Sequence, residues 1–308
     1  MRVAVTGATG FVGGCVADFL ARRGHDVLTL GRRPVSELRA RFPNYVQWDV
    51  RSGPIDVPGI EGVVHCAAHV GQWGPERVYR AVNVEGTRYV LETFRRAARF
   101  VHISTGSVYA TDQPRVNVPE DARVGEPFLT AYARTKAEAE QVLAADGRPV
   151  VILRPHAVYG PGDTTLLPRV LAARRLGVFP LPGNGRNRIS VTFVLNLAQA
   201  VQLALEGACS SGVFNIADEE EPAIDDMLRT MLRRHGVSDR LLHVPRVAAR
   251  SLAAVNETVW RLARISGEPR LTRYAVASLA EPFTLDLTRA RTQLGYAPRW
   301  TFRDAPLG

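Results

Sequence analysis

The sequence predicts an α/β protein built on a doubly wound parallel sheet, with a smaller, partly interleaved C-terminal cap. Three observations carry that expectation. Short β-branched runs alternate with helix-period stretches through the first half of the chain, the pattern of βαβ units whose strands are buried on both faces. The first such run passes directly into a glycine-rich turn at the mouth of a helix. After about residue 155 the texture changes to Gly- and Pro-rich loops between helices.

Taken in order, residues 2–6 read as a strand and 13–23 as a helix, followed by strands at 26–30 and 62–65. A helix over 82–98, a strand at 100–104, a helix over 132–145 and a strand at 149–153 complete the first part. Beyond it, helices are expected at 166–176, 195–206 and 224–235, with one more strand at 212–218. Residues 247–265 are helix-periodic, with Leu252, Val255, Val259, Leu262 and Ile265 on one side and Arg250, Asn256, Glu257, Arg261 and Arg264 elsewhere, as in a packed cap helix, with a lipid-facing or substrate-lid helix as the alternative. This gives a dinucleotide-binding part over 1–160, rejoined by segments near 189–217, and a substrate-binding cap mainly over 161–308.

A chain of 308 residues with 46% hydrophobic and 22% charged residues is long enough for one large core or two joined ones. Its formal charge of +9 would suit an anionic polymer, but the arginines are dispersed in ones and twos, with no basic block interleaved with aromatics. No nucleic-acid partner is therefore expected. Cys15, Cys66 and Cys209 are odd in number and far apart, as small core residues in a reducing compartment would be, and no metal site is expected. The N-terminus shows no signal-peptide pattern and no run approaches 18 apolar residues, so a cytoplasmic protein without membrane contact is expected.

The chemistry begins at VAVTGATGFVGG. Gly7, Gly10 and Gly13 allow a tight turn and close backbone approach to a pyrophosphate, while the helix N-terminus beyond Thr9, with Phe11 and Val12, supplies N–H groups and partial positive charge. After the second strand, where an acid would take a ribose 2′-hydroxyl, stand Arg32 and Arg33, which suit a 2′-phosphate. The expected cofactor is NADP, with NAD as the alternative. Asp49, followed by Val50, is a candidate for the adenine edge, and Ala67 and Ala68 are small enough to pass beneath the cofactor.

Lys136 is the one lysine among 39 Lys and Arg residues, four positions after Tyr132 and so on the same helical face. A nearby ammonium would lower the pKa of a phenol from its usual ~10, toward that of an acid-base catalyst, and could grip ribose hydroxyls as an arginine fork would not. Thr105, just past a strand end, is the expected hydroxyl that orients a substrate carbonyl, with Ser107 and Ser104 as alternates.

Together TGATGFVG, Asp49, HCAAH, NVEGT, STGSVY, the Tyr132–Lys136 pair, LRPHAVYGPGD and TRARTQLGYAP resemble the extended short-chain dehydrogenase/reductase family over nearly the whole chain. Within it, the segments after residue 66, LRPHAVYGPGD with LLPRV, and SGEPRLTR are more similar to the 3β-hydroxysteroid dehydrogenase and 2-alkyl-3-oxoalkanoate reductase branch than to sugar-nucleotide enzymes. The resemblance implies a Rossmann fold, a triad of Thr105, Tyr132 and Lys136, and Pro155 and His156 near the nicotinamide. Asn196 departs from the family, which often has Asp there. The implied activity is hydride transfer between nicotinamide and a hydrophobic ketone or secondary alcohol, steroid-like or 3-oxoacyl. A sugar-nucleotide epimerase is the alternative; a dehydratase would want an acid pair where Gly106 and Ser107 stand, and a non-catalytic dinucleotide sensor would not need the Tyr–Lys pair. A homodimer is expected by analogy with the fold.

Overall fold

The computed structural model describes residues 1–263, 265, 267–269 and 271–306. Eleven strands run along these residues: β1 (Arg2–Thr6), β2 (Asp26–Gly31), β3 (Tyr45–Gln47), β4 (Gly62–His65), β5 (Arg99–Ile103), β6 (Val151–Pro155), β7 (Val158–Tyr159), β8 (Phe179–Pro182), β9 (Thr192–Phe193), β10 (Gly212–Ile216) and β11 (Leu241–Val244). The α-helices are α1 (Phe11–Arg22), α2 (Val35–Leu38), α3 (Glu76–Arg80), α4 (Gly86–Thr93), α5 (Ala131–Asp146), α6 (Leu166–Ala173), α7 (Val194–Glu206), α8 (Ile224–Arg234), α9 (Arg246–Leu262) and α10 (Arg273–Ala280).

Seven strands form one parallel sheet in the order β10-β6-β5-β4-β1-β2-β3, the doubly wound arrangement that the alternating pattern predicts. The order reverses beside β1, so the carboxyl ends of β1, β4 and β5 open onto one crevice, where such sheets bind ligands. Both faces are covered, which explains why Val3, Ala4, Val5, Val63 and Val64 are all fully buried. On one side Val16 and Leu20 of α1 and Leu197 and Val201 of α7 share a core with β1, β6 and β10; on the other, Val90 and Leu91 of α4 and Val142 and Leu143 of α5 pack on β4, β5 and β6. Each fully buried Leu or Val contributes on the order of 1.5–3 kcal/mol relative to exposure.

The cap packs α6, α8 and α10 around the short parallel pairs β8–β11 and β7–β9, with a core of its own that includes Phe179, Leu181, Met227, Leu228 and Phe302. Several short strands, β3, β7, β8, β9 and β11, carry too few residues to show a period. The expected helix over 82–98 is longer at its start and shorter at its end: α3 passes through a π-helical turn, Ala81–Glu85, into α4, which stops at Thr93, where the chain turns back to enter β5.

The apolar stripe on α9 faces outward, against expectation. Leu252, Val255, Val259 and Leu262 are 62, 60, 51 and 80% exposed, and Ile265 beyond the helix is exposed too. α10 packs on the small-residue side instead, with Ala249 and Ala253 against Val276, while Glu257 is buried where it accepts from Arg273 N and pairs with its guanidinium at 2.8 Å. Alanines let two helices approach closely, and it is this side that α10 covers. Arg264, Ser266 and Arg270, the first read on the polar side of the helix and the others within SGEPRLTR, lie outside the described residues.

Candidate active site

The glycine turn after β1 is built by exclusion. A Cβ on Gly7, whose φ is +71°, would stand 2.7 Å from the Ala67 backbone, and one on Gly13 would stand 2.4 Å from Gly7 O. Only glycine lets the turn, α1 and the loop after β4 come this close. Gly10 N donates to Gly7 O, and Gly10 caps α1 without a side-chain hydrogen bond, leaving the first N–H groups of the helix beyond Phe11 and Val12 uncapped by any side chain. Thr9 packs over Gly31 at the end of β2. This cradle fits a pyrophosphate: close backbone, open N–H groups and the positive end of a helix dipole. Ala67 and Ala68 line the adjoining loop, half-buried.

At the end of β2, Gln47 Nε2 donates to Arg32 O and Tyr45 OH donates to Arg33 O, pinning the backbone of both arginines. Their side chains differ. Arg33 folds back onto Glu37 at 2.8 Å, whereas the positive charge of Arg32 reaches Asp49 and His69, where it favours carboxylate and opposes imidazolium. Asp49 accepts from Arg51 N at 3.0 Å and from its guanidinium at 2.6 Å, and that side-chain bond holds the carboxyl below its usual range. Val50 is buried against Gly86.

The sheet edge and α5 bring the remaining residues together. Thr130 caps α5, its hydroxyl accepting from Ala133 N at 3.1 Å, which fixes the helix start at Ala131, one residue before Tyr132. Thr105 follows β5; its hydroxyl oxygen accepts from Ser107 N at 3.2 Å, and its O–H is left to bond the Tyr132 phenol. Burial pushes the Tyr132 phenol above its ordinary range, Tyr274 adds to the rise, and a hydrogen bond with the Thr105 side chain opposes it.

Lys136 is 1% exposed. Its ammonium donates to Ile103 O at 2.7 Å and to His102 Nε2 at 2.8 Å, leaving one N–H of three. Burial lowers its pKa to about 8, against the favourable charge of Glu140. The expected lowering of the Tyr132 pKa by Lys136 is not what the geometry gives: the ammonium is drawn toward β5, and desolvation dominates the phenol. His102 is held neutral by burial beside Lys136.

Ser104, an alternate for the orienting hydroxyl, is used elsewhere. It donates to Glu140, whose carboxylate is also gripped by Arg154 through 3.0 and 2.6 Å bonds, in a buried pair that braces α5 against β6. Ser107 is half-buried and lines a cleft with Ala133, His156 and Tyr274. Pro155 ends β6; His156 N donates to Thr192, its ring lies edge-on to Phe283 at 4.4 Å, and burial lowers its pKa to about 3.

Three residues in or beside the cleft escaped the sequence reading. Asn83, in the π-helical turn, accepts from His69 N at 2.7 Å and donates to His69 O and to Thr135 Oγ1, tying the loop after β4 to the middle of α5. The NVEGT motif held it in plain view, without its partners. Tyr274 arrives from α10 and Arg115 from the loop before α5, both brought to the cleft by tertiary structure alone. Asn196 has a structural place: it donates to Asp218 at 2.7 Å and to Trp300 O, and accepts from Arg299 N and Trp300 N. Among the described residues, no helix is long and apolar enough to cross a membrane.

The NAD dependent epimerase/dehydratase family model matches residues 3–217. The chain is 33% identical over 314 residues to the 2-alkyl-3-oxoalkanoate reductase of Stenotrophomonas maltophilia, covering 97% of this chain and 95% of that protein. It is 29% identical to the 3 beta-hydroxysteroid dehydrogenase/Delta 5-->4-isomerase of Mycobacterium tuberculosis, covering 99% and 88%. The crystal structure of UDP-glucuronic acid 4-epimerase from Bacillus cereus in complex with NAD shares the fold at a TM-score of 0.74 and 22% identity, covering 99% and 96% of the two chains. A dinucleotide cradle on a seven-stranded parallel sheet and a family match across two thirds of its length make this chain a member of the NAD dependent epimerase/dehydratase family, of the extended short-chain dehydrogenase/reductase type.

Proposed function

We propose that this protein is an NADP-dependent oxidoreductase that passes hydride between nicotinamide and a hydrophobic ketone or secondary alcohol, steroid-like or 3-oxoacyl. The observation that carries the reading is the meeting of Thr105 and Tyr132 beside the crevice that the glycine cradle opens, with Lys136 one turn further along α5. A bound nicotinamide supplies or accepts the hydride. The protein orients the oxygen and handles its proton.

The phenol of Tyr132, held above its usual range by burial, keeps its proton at neutral pH, the state needed to donate to a ketone oxygen as charge develops there. The Thr105 O–H, which meets the Tyr132 phenol in the free protein, turns to the same oxygen when a substrate is bound. Lys136, tied to Ile103 O and His102, presents its remaining N–H for the ribose hydroxyls. The backbone N–H groups of Phe11 and Val12 receive the pyrophosphate, with Gly7, Gly10 and Gly13 keeping the approach clear, and Pro155 and His156 flank the nicotinamide. The absence of an acid after β2 favours NADP over NAD, and Arg32 is assigned to the 2′-phosphate because Arg33 is paired with Glu37. The similarity to a reductase named for 2-alkyl-3-oxoalkanoates supports the substrate class.

The test is NADPH oxidation with a panel of steroid ketones and long-chain 3-oxo acids, run beside Tyr132→Phe. Wild type is expected to turn over at least one ketone, and Tyr132→Phe to lose ~10² or more of the rate while binding NADP as before. Unchanged turnover in Tyr132→Phe sinks the mechanism.

A further inference from the structure

We propose that Arg115 forms an anion subsite for the carboxylate of an oxo-acid or hydroxy-acid substrate whose carbonyl or hydroxyl lies at Thr105 and Tyr132. The inference rests on the functional reading above and narrows it from hydrophobic ketones in general to acids.

Arg115 lies between the segments that carry Thr105 and Tyr132. Its side chain is 17% exposed, and its guanidinium carbon stands 4.3 Å over the Phe283 ring. Its Nε is buried with no hydrogen-bond partner. The nearest carboxylate among the described residues, Glu281, is 3.9 Å from Nη1, an ion pair too long for a hydrogen bond, and its other oxygen is taken by Arg246. Two guanidinium groups therefore share one carboxylate, and one positive charge is left over.

Such an arrangement is costly for a folded chain on its own. A partly buried guanidinium with unmade hydrogen bonds loses the water that would satisfy them. Burial accordingly disfavours the Arg115 cation, against the opposing pull of Glu281 and Tyr274. A ligand carboxylate meets the spare charge through the terminal nitrogens Nη1 and Nη2, which have no hydrogen-bond partner among the described residues and are not sealed off as Nε is, because the planar fork matches its two oxygens.

The surroundings place that ligand. Arg115 lines the same cleft as Ser107, Ala133, His156 and Tyr274; Ser107 stands two positions after Thr105 and Ala133 directly after Tyr132, which brings the cleft beside the reacting end, and the exposed Leu129 in the same wall suits an alkyl chain. Tyr274 is close enough to both the Tyr132 phenol and Arg115 to act on each electrostatically. A neutral ketone would fill the apolar wall but leave Arg115 bare.

The experiment compares the affinities of 3-hydroxydecanoate and its methyl ester for the NADPH-loaded protein by titration calorimetry; reduced cofactor and alcohol do not react, so binding is read without turnover. The acid is expected to bind wild type at least ten-fold more tightly than the ester. Arg115→Gln should bring that ratio to about one, Arg115→Lys should keep part of it, and Glu281→Gln should raise it, which keeps the test open if Arg115→Gln fails to fold. Equal binding of acid and ester by wild type, no measurable binding of the acid, or a ratio that survives in Arg115→Gln overturns the proposal. Ketone reduction by wild type, measured separately, tells that failure from failure of the oxidoreductase reading.

Discussion

Replacing Lys136 by methionine isolates the energetic consequence of burying the only lysine. The ordinary lysine pKa of 10.5 falls to about 8 in the folded chain, chiefly by desolvation. Between those values the folded state has released a proton that the unfolded state still holds, so unfolding takes one up and stability rises with pH across that window. A gap of about 2.5 at about 1.4 kcal/mol per pH unit gives a rise of about 3 kcal/mol from pH 8 to 10.5, attributable to this one group. Lys136→Met should lack it. Other groups titrate nearby: burial raises the Cys15 thiol to about 11 and the Cys66 thiol to about 12, and both oppose stability as the pH rises. They are present in both proteins, so the wild-type minus variant difference largely removes them. Urea unfolding of both proteins at steps from pH 7 to 10.5 measures that difference. A flat difference, or one that falls with pH, refutes the assignment of a buried, proton-shedding Lys136.

Arg32→Glu should lower affinity for NADP by ten-fold or more and improve NAD relative to it, whereas Arg33→Glu, removing a side chain already paired with Glu37, should do less; equilibrium titration with each cofactor decides. Glu140→Gln leaves Arg154 with a broken buried pair and should cost about 3 kcal/mol of unfolding free energy, read by urea denaturation at pH 7. Asn196→Asp replaces a donor to Asp218 with a second carboxylate. The Asp218 carboxyl is already raised by burial from 3.8 to about 6, so its folded form holds a proton that the unfolded chain gives up, and stability falls as pH rises through that range. The variant should steepen that fall, losing more than about 2 kcal/mol at pH 8 and less at pH 5; an equal loss at both pH values counts against a carboxylate clash.

The parts that were legible in the sequence are those governed by local rules. Gly7 and Gly13 could be read because no side chain fits where two backbones meet, a constraint that the spacing alone reveals. Tyr132 and Lys136 could be placed on one face because helical geometry fixes the i, i+4 relation. What Lys136 touches could not be read, since Ile103 O and His102 reach it through the packing of α5 on β5. Arg115 and Tyr274 are 159 positions apart and share a cleft only because the cap folds over the sheet. On α9 the pattern located an apolar stripe but not the side that a neighbour would cover, which is the side of the small alanines.

Asn83 has a consequence for how such a protein can change over generations. Its amide grips the loop after β4 with one end and Thr135, between Tyr132 and Lys136, with the other. The loop after β4 and the helix bearing Tyr132 and Lys136 are thereby locked in a common register, and a mutation that displaced one would drag the other. The cap residues around Arg115 and Tyr274 lie outside that lock. Substitutions there can alter which molecule is accepted while the register stays put, so the scaffold keeps its chemistry on one heritable part and leaves selectivity to vary on another.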